Sequence, residues 1–240
     1  HGWLFGVDGK ILDTPGEPSD STYKERLCHG SYPTVEALGM IFIYMGPLGK
    51  KPPFPIFDTY QYPGYHLVPR STDIMPCNWM QMQDNAMDPA HTTYLHSRSS
   101  TIQFTEAFLE MPEIDFMETP FGVIYIATRR VGDNVFTRMG EFICPNIGQF
   151  PSGRWEKGEK EHSFIPADNT KWRVPIDDTH TLEMTLCRYR EGAKYPPMQE
   201  IGHQIGRSYE AMQREPNDWE AQTSQRPIAV HALEHLGVVD

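Results

Sequence analysis

The stretch Gly46-Pro47-Leu48-Gly49-Lys50-Lys51-Pro52-Pro53-Phe54-Pro55 constrains this chain more than any other. Its prolines lack a backbone N–H and fix φ, and its glycines and lysines add turn-forming and solvated residues. Neither a helix nor a central strand can run through it. The chain is expected to divide there, into a short piece over residues 1–50 and a larger one over 51–240. The short piece reads as β: Trp3-Leu4-Phe5 runs into the hairpin dipeptide Asp8-Gly9, and Met40 to Met45 is an apolar run bounded by Gly39 and Gly46. Beyond the break, Asn78 to His96 lacks glycine and is rich in Met, Gln and Ala, which predicts helix. Gly122 to Val131 and Val135 to Cys144, separated by Gly132-Asp133-Asn134, predict an antiparallel hairpin. Thr181 to Cys187 alternates, with Leu182, Met184 and Leu186 on one face and Glu183 and Thr185 on the other, the pattern of a half-buried strand. Ile205 to Arg214 and Ala229 to Leu236 read as helical, around an irregular turn at Pro216-Asn217.

The 240 residues carry a formal charge of −11, and no basic cluster exceeds Arg129-Arg130 or Lys50-Lys51. Nothing offers the positive footprint that a phosphate backbone requires, so nucleic acid is not an expected partner. No apolar run approaches the roughly 18–20 residues that span a bilayer. Four cysteines without a Cys-x-x-Cys pair suit reduced thiols, and the expectation is a soluble, cytoplasmic protein. Neither a Gly-x-Gly-x-x-Gly, a P-loop nor a Gly-x-Ser-x-Gly elbow occurs, which leaves nucleotide binding and Ser-His-Asp hydrolysis without support.

Chemistry concentrates in Asp84-Asn85-Ala86-Met87-Asp88-Pro89-Ala90-His91-Thr92-Thr93-Tyr94-Leu95-His96. On a helix, Asn85, Asp88 and His91 fall at i, i+3 and i+6, on one slowly drifting stripe. His96 comes five positions after His91, roughly 140° away on a straight helix, so the two imidazoles can share an ion only if the helix ends or bulges between them. Pro89 already disturbs the ladder. The same string also reads as two surface histidines with Asp88 capping a helix that starts at Pro89.

As a whole, Asn-x-x-Asp-x-x-His-x4-His resembles the mononuclear iron signature of the Rieske non-haem iron oxygenases, and Cys77-Asn78-Trp79 stands where that family carries an Asn-Trp. Independently, His1-Gly2-Trp3-Leu4-Phe5-Gly6-Val7-Asp8-Gly9-Lys10 resembles the end of the family's Rieske cluster motif, and Gly39 to Pro47 the strand closing that domain. The phthalate-dioxygenase-like branch, with its aryl ether O-demethylases, is the most similar. The resemblance implies an α+β chain: the C-terminal remnant of a β Rieske domain, then a helix-grip catalytic domain with a curved antiparallel sheet around a long helix. It implies mononuclear Fe(II) at His91, His96 and a distant carboxylate, Asn85 beside the iron, and Asp88 linking His91 to a cluster histidine of a neighbouring subunit. His1 would be a ligand of the 2Fe-2S cluster, whose other three ligands are not in the sequence. It further implies an aromatic substrate under the sheet, dioxygen, a separate reductase with or without a ferredoxin, and a homotrimer. By this resemblance the chain is truncated at both ends and inactive alone.

Among Glu215, Asp218 and Glu220, Asp218 matches the branch's Asn-Asp-aromatic triplet, whereas an ungapped match to other branches selects Glu215. Two other classes compete with the oxygenase: a non-catalytic helix-grip module binding a small molecule, and a hydrolase with zinc at His91 and His96. Weaker signals are set aside. His231-Ala232-Leu233-Glu234-His235 fits a short peptidase pattern; Cys28, beside His29, is expected as a small buried hydrophobe. Arg129-Arg130 could hold a carboxylate but is expected to face water, and Asp177 and Asp178 read as turn formers.

Overall fold

The structure is a computed structural model and describes residues 1–72, 74–99, 104–151, 153, 166–194 and 207–238. It consists of two units, His1–Ile56 and Phe57–Asp240. In the first, β1 (Leu4–Phe5) pairs antiparallel with β2 (Ile11–Asp13), a one-turn helix α1 (Tyr23–Arg26) follows, and β3 (Thr34–Ala37) pairs with β4 (Met40–Ile43). The first hairpin turns where expected: Asp8 Oδ1 accepts from the Lys10 N–H, and Gly9 takes the left-handed conformation at φ 82°. Ile41 and Ile43 on one face of β4, and Met45 just beyond it, remain exposed. Cys28 departs from expectation. It bridges to Lys10 at the surface and is exposed, because a unit of two short hairpins has little interior to put it in.

In the second unit, β5 (Tyr65–Ser71) is followed by helices α2 (Trp79–Met87) and α3 (His91–Tyr94), then by β6 (Glu113–Thr119), β7 (Gly122–Val131), β8 (Asn134–Ile143), β9 (Ile147–Phe150), β10 (Asn169–Asp177) and β11 (His180–Arg190). Two helices, α4 (Tyr209–Arg214) and α5 (Asp218–Thr223), close the series. The strands form one seven-stranded antiparallel sheet in the order β5-β11-β10-β9-β8-β7-β6. β5 and β6 are consecutive strands at opposite edges of that sheet, so the segment joining them must cross it. That segment carries the candidate site.

The predicted hairpin is β7–β8, with Val131 opposite Asn134 and Gly132 at φ 62° in a two-residue turn. Directly paired residues share a face, so Tyr125, Ala127 and Arg129 lie on the same side as Gly140, Arg138 and Phe136. Ala86 and Met87 of α2 pack onto Tyr125, Ala127 and Phe150 there. A Cβ at Gly140 would run into the rings of Tyr125 and Phe150, so glycine is what lets these aromatics lie flat beneath the helix.

β11 corrects a reading of the sequence. Thr181, Glu183 and Thr185 are all buried, while on the opposite face Leu182 and Met184 are only half-buried and Leu186 alone is buried. Glu183 is tolerated inside because Lys171 lies 2.8 Å and Arg173 3.5 Å from its carboxylate. Burial acts to raise Glu183, but these two cations hold it below the usual carboxylate range. Arg173 also donates to Gln83 Oε1 of α2 at 2.9 Å, so this charged patch faces the helix. The inward face of the sheet is thus partly polar, which an apolar-in pattern does not anticipate.

The C-terminal helices are shorter than the sequence suggests. Ser208 caps α4 through the Ala211 N–H, so the helix starts at Tyr209; Ile205 lies outside the described residues. Ala229 to Leu236 holds only a single tight turn, His231–Leu233. Val230, at φ −102° and ψ 88°, is outside the helical region, so the chain turns only over the three residues that follow it. Asp177 forms the expected turn by accepting from the Thr179 N–H and hydroxyl. Among the described residues, no helix is long and apolar enough to cross a membrane.

Candidate metal centre

The predicted helix Asn78–His96 is two helices with a break at Asp88-Pro89-Ala90. Asn78 caps α2 by accepting from the Met80 N–H, and Thr181 Oγ1 donates to the Cys77 carbonyl, tying the start of α2 to β11. At the break, Asp88 N–H closes the last turn on the Asn85 carbonyl, and Pro89 has no N–H to extend it. Asp88 Oδ1 accepts from Ala90 N at 2.7 Å and His91 N at 3.3 Å, which starts α3 in a new direction. The break supplies the condition that the histidine spacing demands. His91 and His96 come together with ring centroids 5.2 Å apart.

Asp218 is brought to them. Its Oδ1 lies 3.1 Å from His96 Nε2, 3.5 Å from His91 Nε2, and accepts from Asn85 Nδ2 at 3.0 Å. It opens α5, whose Asn217 cap and Glu220 form a reciprocal capping box. Glu220 is spent on that cap and lies near Arg207, while Glu215 is an exposed residue at the end of α4. Of the three candidate acids, only Asp218 meets the imidazoles. His1 belongs to the first unit and is exposed.

What delivers Asp218 is Gln81, a residue the sequence reading did not single out. Its Nε2 donates to the carbonyls of Gln222 and Arg226, and its Oε1 accepts from Ala229 N, all from one buried side chain. Asn78 N adds a bond to the Pro227 carbonyl. Trp219 packs on Met75, Cys77 and Met82. Arg129 also departs from expectation: it is buried, while Arg130 beside it is exposed. Alternation along β7 turns Arg129 inward, where backbone carbonyls and the Phe108 ring receive it.

The donor atoms of His91, His96 and Asp218 all lie within 4.8 Å of one another. With metal–ligand bonds of about 2.1 Å, donors at 90° stand about 3.0 Å apart and at 109° about 3.4 Å apart. The spacings of 3.1 and 3.5 Å from Asp218 Oδ1 to the two imidazoles match that range. His96 is 5% exposed and His91 19%, but Asp218 keeps 48% of its side-chain surface, so the cluster is open on the Asp218 side. His91 Nδ1 faces Asp88 Oδ2 at 3.5 Å, which leaves Nε2 directed at the cluster.

Burial opposes a charge on His91, but the Asp218 and Asp88 carboxylates outweigh it and push His91 up to about 9. Burial likewise acts to raise Asp218, and the two imidazoles override it, holding the carboxyl well below the usual range. Proton and metal compete for the same imidazole nitrogen, so a field that favours a proton here also favours a divalent cation. Two imidazoles and one carboxylate are the donor set of non-haem iron(II) centres with open positions. The residues present fit such an ion.

No family model matches the chain. Over its whole length it is 37% identical to the oxygenase subunit of tert-butanol monooxygenase / tert-amyl alcohol desaturase of Aquincola tertiaricarbonis, and 32% identical to the phenoxybenzoate dioxygenase subunit alpha of Ectopseudomonas oleovorans. The chain spans 56% and 61% of the length of these two proteins. Its fold is that of dicamba monooxygenase bound to dicamba (TM-score 0.60, 18% identity, 95% of this chain and 65% of that one) and of NdmB of Pseudomonas putida CBB5 (TM-score 0.69, 14% identity, 100% and 65%). An α+β unit with this large antiparallel sheet is the catalytic-domain fold of Rieske oxygenases. The chain's curated homologues are Rieske-type oxygenase subunits. That family implies a non-haem iron and, in the full-length parent, a Rieske cluster.

Proposed function

We propose that the protein to which this chain belongs is an oxygenase component that hydroxylates or oxidatively O-demethylates an aromatic compound. The convergence of His91, His96 and Asp218 Oδ1 beneath an open face carries this reading. In it, His91, His96 and Asp218 hold Fe(II), Asn85 orients the Asp218 carboxylate through its 3.0 Å hydrogen bond, and the Asp88 carboxylate, 3.5 Å from His91 Nδ1, favours a proton on that nitrogen by its charge. Iron(II), when bound there, supplies dioxygen activation driven by two electrons from outside the domain. In a hydroxylation one oxygen atom enters the substrate and the other leaves as water with two protons.

The reading assigns residues 1–50 to a Rieske 2Fe-2S domain and 51–240 to the catalytic domain. Within these residues only His1 stands at a cluster-ligand position, so the chain's own side chains do not fit the cluster. A separate reductase, with or without a ferredoxin, would supply electrons. Asp88 would face a neighbour's cluster histidine in a trimer. A non-catalytic binding module gives no reason for three metal-type donors to converge, and the relatives are oxygenase subunits.

Two relatives favour different substrates: one is named for phenoxybenzoate, an aromatic acid, and the other for tertiary alcohols. The test is dioxygen uptake and product analysis by the full-length parent with its reductase, offered an aromatic acid, an aryl methyl ether and tert-butyl alcohol in parallel. Uptake coupled to a product from either aromatic compound supports the aromatic reading. Turnover of the alcohol alone moves the substrate class to tertiary alcohols. Activity without dioxygen or reductant would contradict the oxygenase reading and indicate hydrolytic chemistry at the same donors.

A further inference from the structure

Arg129 lies in the wall behind the cluster and is 1% exposed. Among the described residues no carboxylate pairs with it, and burying an unpaired charge is costly, so its retention calls for a reason. Two of its three guanidinium nitrogens bond to the Pro89–Thr92 bend and to the Glu110 carbonyl, while Nη1 is buried without a hydrogen-bond partner among the described residues. Nη2 donates to Thr92 Oγ1 at 3.0 Å and to the Pro89 carbonyl at 3.3 Å, and Nε donates to the Glu110 carbonyl at 3.0 Å. Thr92 Oγ1 itself donates to the Pro89 carbonyl at 2.7 Å, which closes a small ring of bonds around the residues flanking His91. Thr93 Oγ1 joins the Glu110 carbonyl from the same helix.

A second path runs through the rings. The Arg129 guanidinium lies 4.7 Å from the centroid of Phe108, Phe108 lies 4.9 Å from Phe104, and Phe104 meets the His96 ring edge-on at 5.0 Å. One side chain thus supports His91 through the bend at Pro89 and His96 through an aromatic column. Lysine could keep the charge but not the fork, because its ammonium is a compact point charge on a flexible stem.

We propose that Arg129 is a positioning residue for the metal centre, holding the Pro89–Thr92 bend and the Phe108–Phe104 column so that both imidazoles present their nitrogens to one ion. This rests on the metal role of His91, His96 and Asp218 given above. The test uses cobalt(II) as the probe on this chain, with Arg129→Lys and the milder Thr92→Val, which removes the hydroxyl acceptor and keeps the shape. Dissociation constants, the low-temperature electron paramagnetic resonance spectrum at saturating cobalt, and far-UV circular dichroism are read together.

Wild type is expected to take up one cobalt, lost in His91→Ala. Both positioning variants should bind it roughly 10- to 100-fold more weakly, the range seen when a group supporting a metal ligand is removed, with an altered resonance spectrum and unchanged circular dichroism. A merely structural role would leave the spectrum of the bound ion as in wild type. If Arg129→Lys fails to fold, Thr92→Val decides. Wild-type affinity and spectrum in a folded Thr92→Val would overturn the inference while leaving the metal reading intact. A wild-type chain that takes up no cobalt would overturn both.

Discussion

His91 and His96 reach the cluster within a single stretch of chain, whereas Asp218 arrives from 122 positions beyond His96 on a helix of six residues. The near half is shaped by one local event, the break at Asp88-Pro89-Ala90, and its side chains announce themselves by type and spacing. The far half depends on a helix too short to be stable alone, held by its own capping box and by Gln81. The contrast separates two ways of building one site: local geometry that nearly suffices by itself, and a long-range delivery that rests on a few buried hydrogen bonds.

The largest effect is expected in the near half. His91→Ala or His96→Ala should abolish iron uptake, measured as iron per chain, because neither imidazole has a substitute among the described residues within the cluster. Iron retained by both variants would end the ligand assignment. Gln81→Leu attacks the delivery instead. It leaves the carbonyls of Gln222 and Arg226 and the Ala229 N–H without their partner. Stability should fall by about 3 kcal/mol, since an unpaired buried group costs about 1–3 kcal/mol. A urea midpoint unchanged from wild type would show that α5 is held by other contacts.

Asp88→Asn should be milder for metal and severe for turnover. Asparagine keeps an oxygen to accept from Ala90 N and His91 N, so iron uptake should stay within about tenfold of wild type, below the roughly 10- to 100-fold cost of losing a supporting group outright. Electron delivery in the intact parent should stop, read as loss of product in a single turnover. Wild-type turnover would remove Asp88 from the electron path. The smallest expected effect is at the anchor of α2. Burial pushes the Cys77 thiol up to about 11, while Cys28 and Cys144 are exposed. At pH 8 a thiol reagent should label the two exposed cysteines and spare Cys77, with or without iron. Rapid labelling of Cys77 only in the metal-free chain would mean that the near half, too, is assembled by the ion.

The same contrast explains what the sequence revealed. The near half was legible because Asn85, Asp88, His91 and His96 are chemically distinctive and contiguous, and Pro89 marked the break. Asp218 was selected over Glu215 by pattern, and the structure brings it to the imidazoles through contacts that no pattern contained. Gln81 and Arg129 bond mostly to backbone carbonyls and amides, which any residue offers, so nothing in their partners' identity points back to them. The hairpin β7–β8 was legible from its turn and its β-branched strands. The burial of β11 was misread because Glu183 goes inward with Lys171 and Arg173, and an alternation rule assigns charge to the solvent face. The helix expected over Ala229 to Leu236 is interrupted at Val230, whose backbone is not helical, and only the turn His231–Leu233 remains.

The central claim is that His91, His96 and Asp218 form one iron site. Elemental analysis of this chain after anaerobic loading with iron(II), beside Asp218→Ala and Glu215→Ala, tests it most directly. About one iron per chain is expected in wild type and in Glu215→Ala, and none in Asp218→Ala, as a site with two imidazoles and one carboxylate requires. Iron kept by Asp218→Ala, or lost in Glu215→Ala, would contradict it.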